Sequence, residues 1–402
     1  MRILSLARAL CLAIGGLAVL AGTAAAQLDD PRWPSRIIPP DEQEERDAEG
    51  RFKPPVVTAV CMQPDGPLLA TTGDDHFIRV WNMEEGTLLT RLEGHTDWVR
   101  TLAFSPDGRQ LASAGNDRTI VIWNADTLEK QSTLATHDAA IAAIAYSPDG
   151  RSLSVVGFDD RLRIYDTVTG QIAHELTCPC GDMRTLAYNG DGSLLAAAGR
   201  SGEIYVWKTT DYALAHQAEA HRRRVRALAF SPDGKRLVSC GEDRIVRLWS
   251  IAGDGGVVSL PIDMAKVLSL TFVADDKLAV GGSDNAIRLW DLATRTEIDK
   301  LLGHTGSVVA MAHRGARLVT GSYDTSVRVW TVDFAAANPP GGAPQAPVKV
   351  DPFNKNPVGV APEALPGPRR GTLEPTAPPS LPPRTSPFPA GGAFGGAFGD
   401  GR

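Results

Sequence analysis

Between residues 54 and 334 the chain runs in short apolar stretches of strand length, cut by turns at even intervals. In residues 94–124, GHTDWVRTLAFSPDGRQLASAGNDRTIVIWN, the pattern predicts a strand over 99–104, a turn at Ser105-Pro106-Asp107-Gly108 and a strand over 110–114. A tight turn at Gly115-Asn116-Asp117, a third strand over 119–124 and a weaker fourth over 129–134 follow. Close variants return through the chain, and the aromatic near the end of each third strand falls at Trp81, Trp123, Tyr165, Trp207, Trp249, Trp290 and Trp330, at steps of 42, 42, 42, 42, 41 and 40 residues. The turn Ser-Pro-Asp-Gly recurs at 147–150 and 231–234, with looser versions at 63–66 and 189–192. Pro sets φ at its second position, Asp bonds the local backbone and Gly takes positive φ. A sheet of four short strands cannot bury both faces alone. Copies must therefore pack face to face, and a ring of seven leaves no open end.

Two dipeptides give the unit a signature: Gly-His opens it (Gly94-His95, Gly303-His304) and a Trp-Asp-like pair closes its third strand (Trp290-Asp291, Trp123-Asn124, Tyr165-Asp166). With these the chain resembles the WD-repeat β-propeller family over residues 54–334. The resemblance implies an all-β fold, a seven-bladed β-propeller of four-stranded antiparallel blades, and the role of an interaction platform rather than an enzyme. It also implies that the last blade borrows its fourth strand from the other end of the chain, because only residues 331–334 separate Trp330 from a proline-rich tail. Residues 35–38 and 44–52 in the head are candidates, and residues 348–353 in the tail are a third.

The flanks have different compositions. Arg2 and Arg8, an apolar run over 9–20 and Ala24-Ala25-Ala26 before Gln27 have the layout of a cleaved secretory signal over 1–26, so export to the periplasm or outside is expected; an uncleaved anchor is the alternative. No second membrane segment follows. Residues 27–53 read as an acidic linker around Asp41-Glu42-Gln43-Glu44-Glu45-Arg46-Asp47. Residues 335–402 hold 16 of the 29 prolines and a Gly/Ala/Phe-rich end, and are expected to be disordered. Within them Pro379-Ser380-Leu381-Pro382-Pro383-Arg384 has the form of a polyproline ligand, a form that composition alone also produces. A net charge of −6 speaks against a nucleic-acid partner.

Cys61 and Cys240 occupy repeat positions held elsewhere by Ala, Thr, Val or Gly, and read as small buried hydrophobes. Cys178-Pro179-Cys180 is open between free thiols, a strained disulfide and a metal site; its spacing is too short for zinc on its own, and no metal or other cofactor is expected.

His95, Ser113 and Asp117 suggest a nucleophilic triad. The set recurs, however, with Trp123 in blade two, as His221, Ser239, Asp243 and Trp249 in blade five, and as His304, Thr320, Asp324 and Trp330 in blade seven. The family resemblance implies a structural tetrad in which Asp orients His, His meets the hydroxyl and the hydroxyl accepts from the indole. No catalytic residue is assigned. Blade one has Lys53 in the His position, blade three Val155 and Tyr165, and blade six Asp263 and Val280. Blade four has Pro179, Ala197 and Ser201 in place of His, Ser and Asp, and is expected to be the least rigid.

For the partner-binding face, the resemblance implies the residues flanking the first Val of each inner strand and the residue before the turn Asp. Carried onto this sequence, these include Trp98, Arg100, Asn116, Phe158, Arg184, Arg200, Arg224, Arg226, Lys266 and Tyr323. Arg and aromatic side chains are those that dominate interface energies, so a protein or peptide partner with acidic or phosphorylated groups is expected. A propeller hydrolase or lactonase with a site in the central channel is the enzymatic alternative, but the inner strands supply few carboxylates or histidines. A small-ligand or carbohydrate binder is the third.

Overall fold

The computed structural model describes residues 33, 35–38, 54–134, 136–179, 181–251, 256–262 and 266–334. The signal sequence, the acidic run, the tail, Lys53, Asp263, Cys180 and the other two candidate closing strands lie outside them. The described residues form seven four-stranded antiparallel sheets. The inner strands are Val57–Met62, Val99–Phe104, Ile141–Tyr146, Met183–Tyr188, Val225–Phe230, Val267–Ala274 and Val308–Arg314. Each packs beside the next, and the seventh packs beside the first, so the sheets close into a ring. The fold is the seven-bladed β-propeller that the repeat implied.

Burial explains why. The second strand of each blade is almost wholly buried, for example Leu68–Gly73 and Gln110–Gly115, because both its faces are covered by neighbouring blades. The outer strands Lys130–Thr133 and Ile172–Thr177 are largely exposed. Apolar clusters therefore sit between blades rather than within them: Ala70, Val80, Leu102 and Trp123 join blades one and two, and Val238, Val246, Leu270 and Trp290 join five and six.

The strand Ser35–Ile38 completes blade seven, pairing antiparallel with Val327–Thr331 so that Ser35 faces Trp330 and Ile38 faces Val327. The choice among three candidates depends on what surrounds it. Trp33 is 2% exposed, donates its indole N–H to Asp299 Oδ2 of blade six at 2.7 Å and meets Phe334 edge-on. Arg36 donates to the backbone carbonyls of Met83 and Glu84 in blade one. The head thus ties three blades. Arg314 adds a second closure, donating to the carbonyls of Gln63, Pro64 and Gly66.

The tetrads hold their blades together. In blade two the Asp117 carboxylate lies 2.7 Å from His95 Nδ1, His95 Nε2 lies 2.7 Å from Ser113 Oγ, and Trp123 Nε1 donates to the same oxygen at 2.8 Å. Blade five repeats this at 2.8, 2.8 and 3.0 Å, and blade seven at 3.0, 2.7 and 2.9 Å with Thr320. Hydrogen bonds from His and the backbone hold Asp117, Asp243 and Asp324 below the usual carboxylate range against the opposing effect of burial, so each carboxylate accepts. The hydroxyls of Ser113, Ser239 and Thr320 belong to side chains with no exposure and already take an indole N–H, so no substrate can reach them as nucleophiles.

The incomplete blades differ in what replaces the tetrad. In blade three the Tyr165 hydroxyl reaches His137 Nε2 directly at 2.8 Å, doing the work of both Ser and Trp. In blade four Trp207 stacks on Tyr205 with centroids 5.9 Å apart, and the Tyr205 hydroxyl donates to Glu203 at 2.9 Å. In blade six Trp290 is buried and its indole N–H has no acceptor among the described residues, because Val280 stands where Thr320 stands in blade seven.

Cys61 and Cys240 are free, with burial pushing their thiols up to about 11 and about 12. Cys178 is fully buried and disulfide-bonded. Its partner lies outside the described residues.

Candidate functional site

The inner strands carry the site through a shared irregularity. Each of the seven pairs with its second strand through a register shift after its first residue, as between Val99 and Thr101. One residue per blade is left unpaired and is turned toward the central opening. These residues are Thr58, Arg100, Ala142, Arg184, Arg226, Leu268 and Val309, and all of them line one cavity of about 520 Å³. Val56, Trp98, Val99 and Tyr323 complete its wall.

The ring of bulges is chemically lopsided. Guanidinium groups come from blades two, four and five; blades six, seven and one contribute Leu268, Val309, Val56 and Thr58. Trp98 (43% exposed) and Tyr323 (52% exposed) stand at the mouth on either side of blade one. The cavity therefore offers cations on one side and apolar or aromatic surface on the other.

Phe158 organises the cations. Arg184 lies over its ring at 3.8 Å and Arg100 at 5.1 Å, so two like charges share one aromatic ring. Burial and the nearby Arg184 charge lower the Arg100 pKa below the ordinary guanidinium value. Arg100 donates through Nε to the Asn116 amide oxygen, and the Asp97 carboxylate lies close enough to act on its charge. Arg184 donates to Asp182 at 3.1 Å, but Asp182 also receives Arg224 at 3.4 Å. Glu242 is likewise shared, by Arg224 at 3.3 Å and Arg226 at 2.5 Å. Cations outnumber the carboxylates within reach, and an arriving anion would relieve the excess.

Of the residues singled out from the sequence, Trp98, Arg100, Arg184, Arg226 and Tyr323 line the cavity. Asn116 and Phe158 lie directly behind it, positioning Arg100 and Arg184. Arg224 is half-buried in its two ion pairs, so it holds Asp182 and Glu242 in place. Arg200 and Lys266 are exposed and line no part of the cavity. The bulge itself was not visible in the sequence, since an unpaired residue in a strand leaves no compositional mark. Among the described residues no group of three or more His, Cys, Asp or Glu side chains is placed to hold a metal ion.

Two relatives resemble short parts of the chain. A U3 snoRNP-associated protein-like EMB2271 of Arabidopsis thaliana is 36% identical over 69 residues, covering 16% of this chain and 14% of the relative. Mitochondrial division protein 1 of Schizosaccharomyces pombe is 36% identical over 56 residues, covering 14% of this chain and 9% of the relative. The chain thus spans less than a sixth of either. The family described as WD domain, G-beta repeat matches at residues 49–82, 86–124, 128–166, 170–208, 214–250, 263–291 and 295–331, one segment for each blade. With seven matched repeats and seven closed blades, this chain belongs to the WD-repeat β-propeller family.

Proposed function

We propose that this propeller is a non-catalytic interaction platform whose bulge-lined face captures a protein or peptide segment carrying carboxylate or phosphate groups. The observation that supports this reading is the Arg100–Phe158–Arg184 cluster beside Arg226, in a cavity whose cations exceed their counter-charges. Planar guanidinium forks on a partly desolvated aromatic platform suit carboxylate and phosphate oxygens better than Lys would. An apolar residue flanking the acidic group would rest against Leu268, Val309, Trp98 and Tyr323.

The test is fluorescence anisotropy with a labelled octaglutamate peptide and a phosphoserine counterpart. Arg184→Ala with Arg226→Ala should weaken binding by about 2 kcal/mol or more, roughly thirtyfold, as expected for central interface anchors. Unchanged affinity in a double variant of native circular dichroism would remove the reading. The same proposal puts the platform outside the cytoplasmic membrane, supported by the pattern of Arg2, Arg8, the apolar run and Ala24-Ala25-Ala26. Protein recovered from the exported fraction should then begin at Gln27.

A further inference from the structure

We infer that the bulge-lined cavity has an internal ligand, the acidic segment 41–47 of the same chain, which competes with the external partner. The inference rests on the reading above that this cavity accepts carboxylates.

The first argument is where the chain leaves and re-enters the structure. Ile38 pairs with Val327, four residues beyond Tyr323 at the cavity mouth. At the other end Val56 itself lines the cavity. Residues 39–53, outside the described structure, are therefore tethered at one end to the outermost strand of blade seven and at the other to the cavity wall. Asp41 lies three residues from Ile38 and Asp47 nine residues from Val56. At 3.3–3.6 Å per extended residue, nine residues reach about 30 Å, enough to enter an opening that their own anchor borders.

Charge complementarity is the second argument. Asp41, Glu42, Glu44, Glu45 and Asp47 carry the segment's negative charge, opposed there only by Arg46. Across the opening, Arg184, Arg224 and Arg226 share two carboxylates, Asp182 and Glu242, and Arg100 lies by the amide of Asn116 and the carboxylate of Asp97, so the cations remain in excess. A segment held this close acts at an effective concentration of order millimolar, so even weak contacts occupy the site for much of the time. An external ligand then binds with its affinity reduced by the occupied fraction.

The experiment compares the mature full chain with a variant carrying Asp41→Asn, Glu42→Gln, Glu44→Gln, Glu45→Gln and Asp47→Asn, using labelled octaglutamate as the probe at low ionic strength. The neutralised chain should bind the probe about tenfold tighter, and adding Arg184→Ala with Arg226→Ala should abolish the gain. An unlabelled peptide of residues 39–53 should displace the probe from the neutralised chain. Equal affinity of wild type and neutralised chain, with the arginine dependence intact, overturns the inference and leaves the proposed function standing. Failure of the peptide to displace a bound probe does the same. If neither chain binds the probe, the proposed function fails and takes the inference with it. A wild-type affinity that falls as protein concentration rises, alongside dimers in sedimentation, overturns the intramolecular form in favour of a second copy.

Discussion

Blade six offers a direct measurement of what the tetrad hydroxyl contributes. Trp290 is 4% exposed and its indole N–H has no acceptor among the described residues, whereas Trp330 in blade seven donates to Thr320 Oγ1 at 2.9 Å. The two blades share a register: Leu278 faces Trp290 and Val280 faces Arg288, as Leu318 faces Trp330 and Thr320 faces Arg328. Val280→Thr is nearly volume-neutral and would place a hydroxyl where Thr320 has its own. An unsatisfied buried donor costs about 1–3 kcal/mol, and a hydroxyl buried without compensation costs about the same. Joining the two cancels most of both terms. Ser113 shows where the hydroxyl proton can turn, with Oγ 3.4 Å from the Val121 carbonyl oxygen. The expected result is a stability between unchanged and about 1 kcal/mol above wild type. Val319→Thr is the control, since Val319 is equally buried but the indole in its cluster, that of Trp81, already donates to Thr71 Oγ1 at 2.9 Å. It should lose about 1–2 kcal/mol. Urea unfolding at constant m reads the difference. If Val280→Thr loses as much as Val319→Thr, the account of the orphan indole is wrong.

Trp33→Ala should lower stability by about 3–5 kcal/mol, since it empties a buried site and removes the link to Asp299; a loss under about 1 kcal/mol in urea would mean the head does not secure the ring. His137 has its pKa pushed down to about 4, first by burial and then by the Arg163 charge, so its ring is neutral in the folded state. The unfolded chain takes up that proton near pH 6.5, so stability is full above pH 6.5 and is lost as pH falls toward 4, by at most about 3 kcal/mol. His137→Gln should flatten the pH dependence between 7 and 4.5, and superimposable curves would refute the assignment. Blade four lacks the His, hydroxyl and Asp of the tetrad, so amides of Leu194–Gly199 should exchange at least about tenfold faster than those of Gln110–Gly115. Equal protection would show that the Tyr205–Trp207 stack replaces the tetrad in full.

The departures from the repeat were legible as letters but not as consequences. Tyr165 in place of Trp reads as a loss, yet its hydroxyl spans the gap that Val155 leaves and reaches His137. Val280 reads as a mild change and leaves an indole without an acceptor. The difference is reach across the blade, a property of two strands in register. Arg224 shows the same limit. It sits in the run Arg222-Arg223-Arg224, and the sequence does not show that it is half-buried between Asp182 of blade four and Glu242.

Sequence alone determined the blade count, the strand order within each blade, the turn geometry and the identity of the complete tetrads. All of these depend on interactions within about 40 residues, which a repeat prints seven times over. Tertiary structure decided which segment closes the ring, because three weak strands competed and only Ser35–Ile38 carries Trp33 to Asp299 and Arg36 to blade one. It also decided which guanidinium groups gather around one cavity. A bulge exists only against a partner strand, and the excess of cations over carboxylates arises only when blades two, four and five are drawn around one opening.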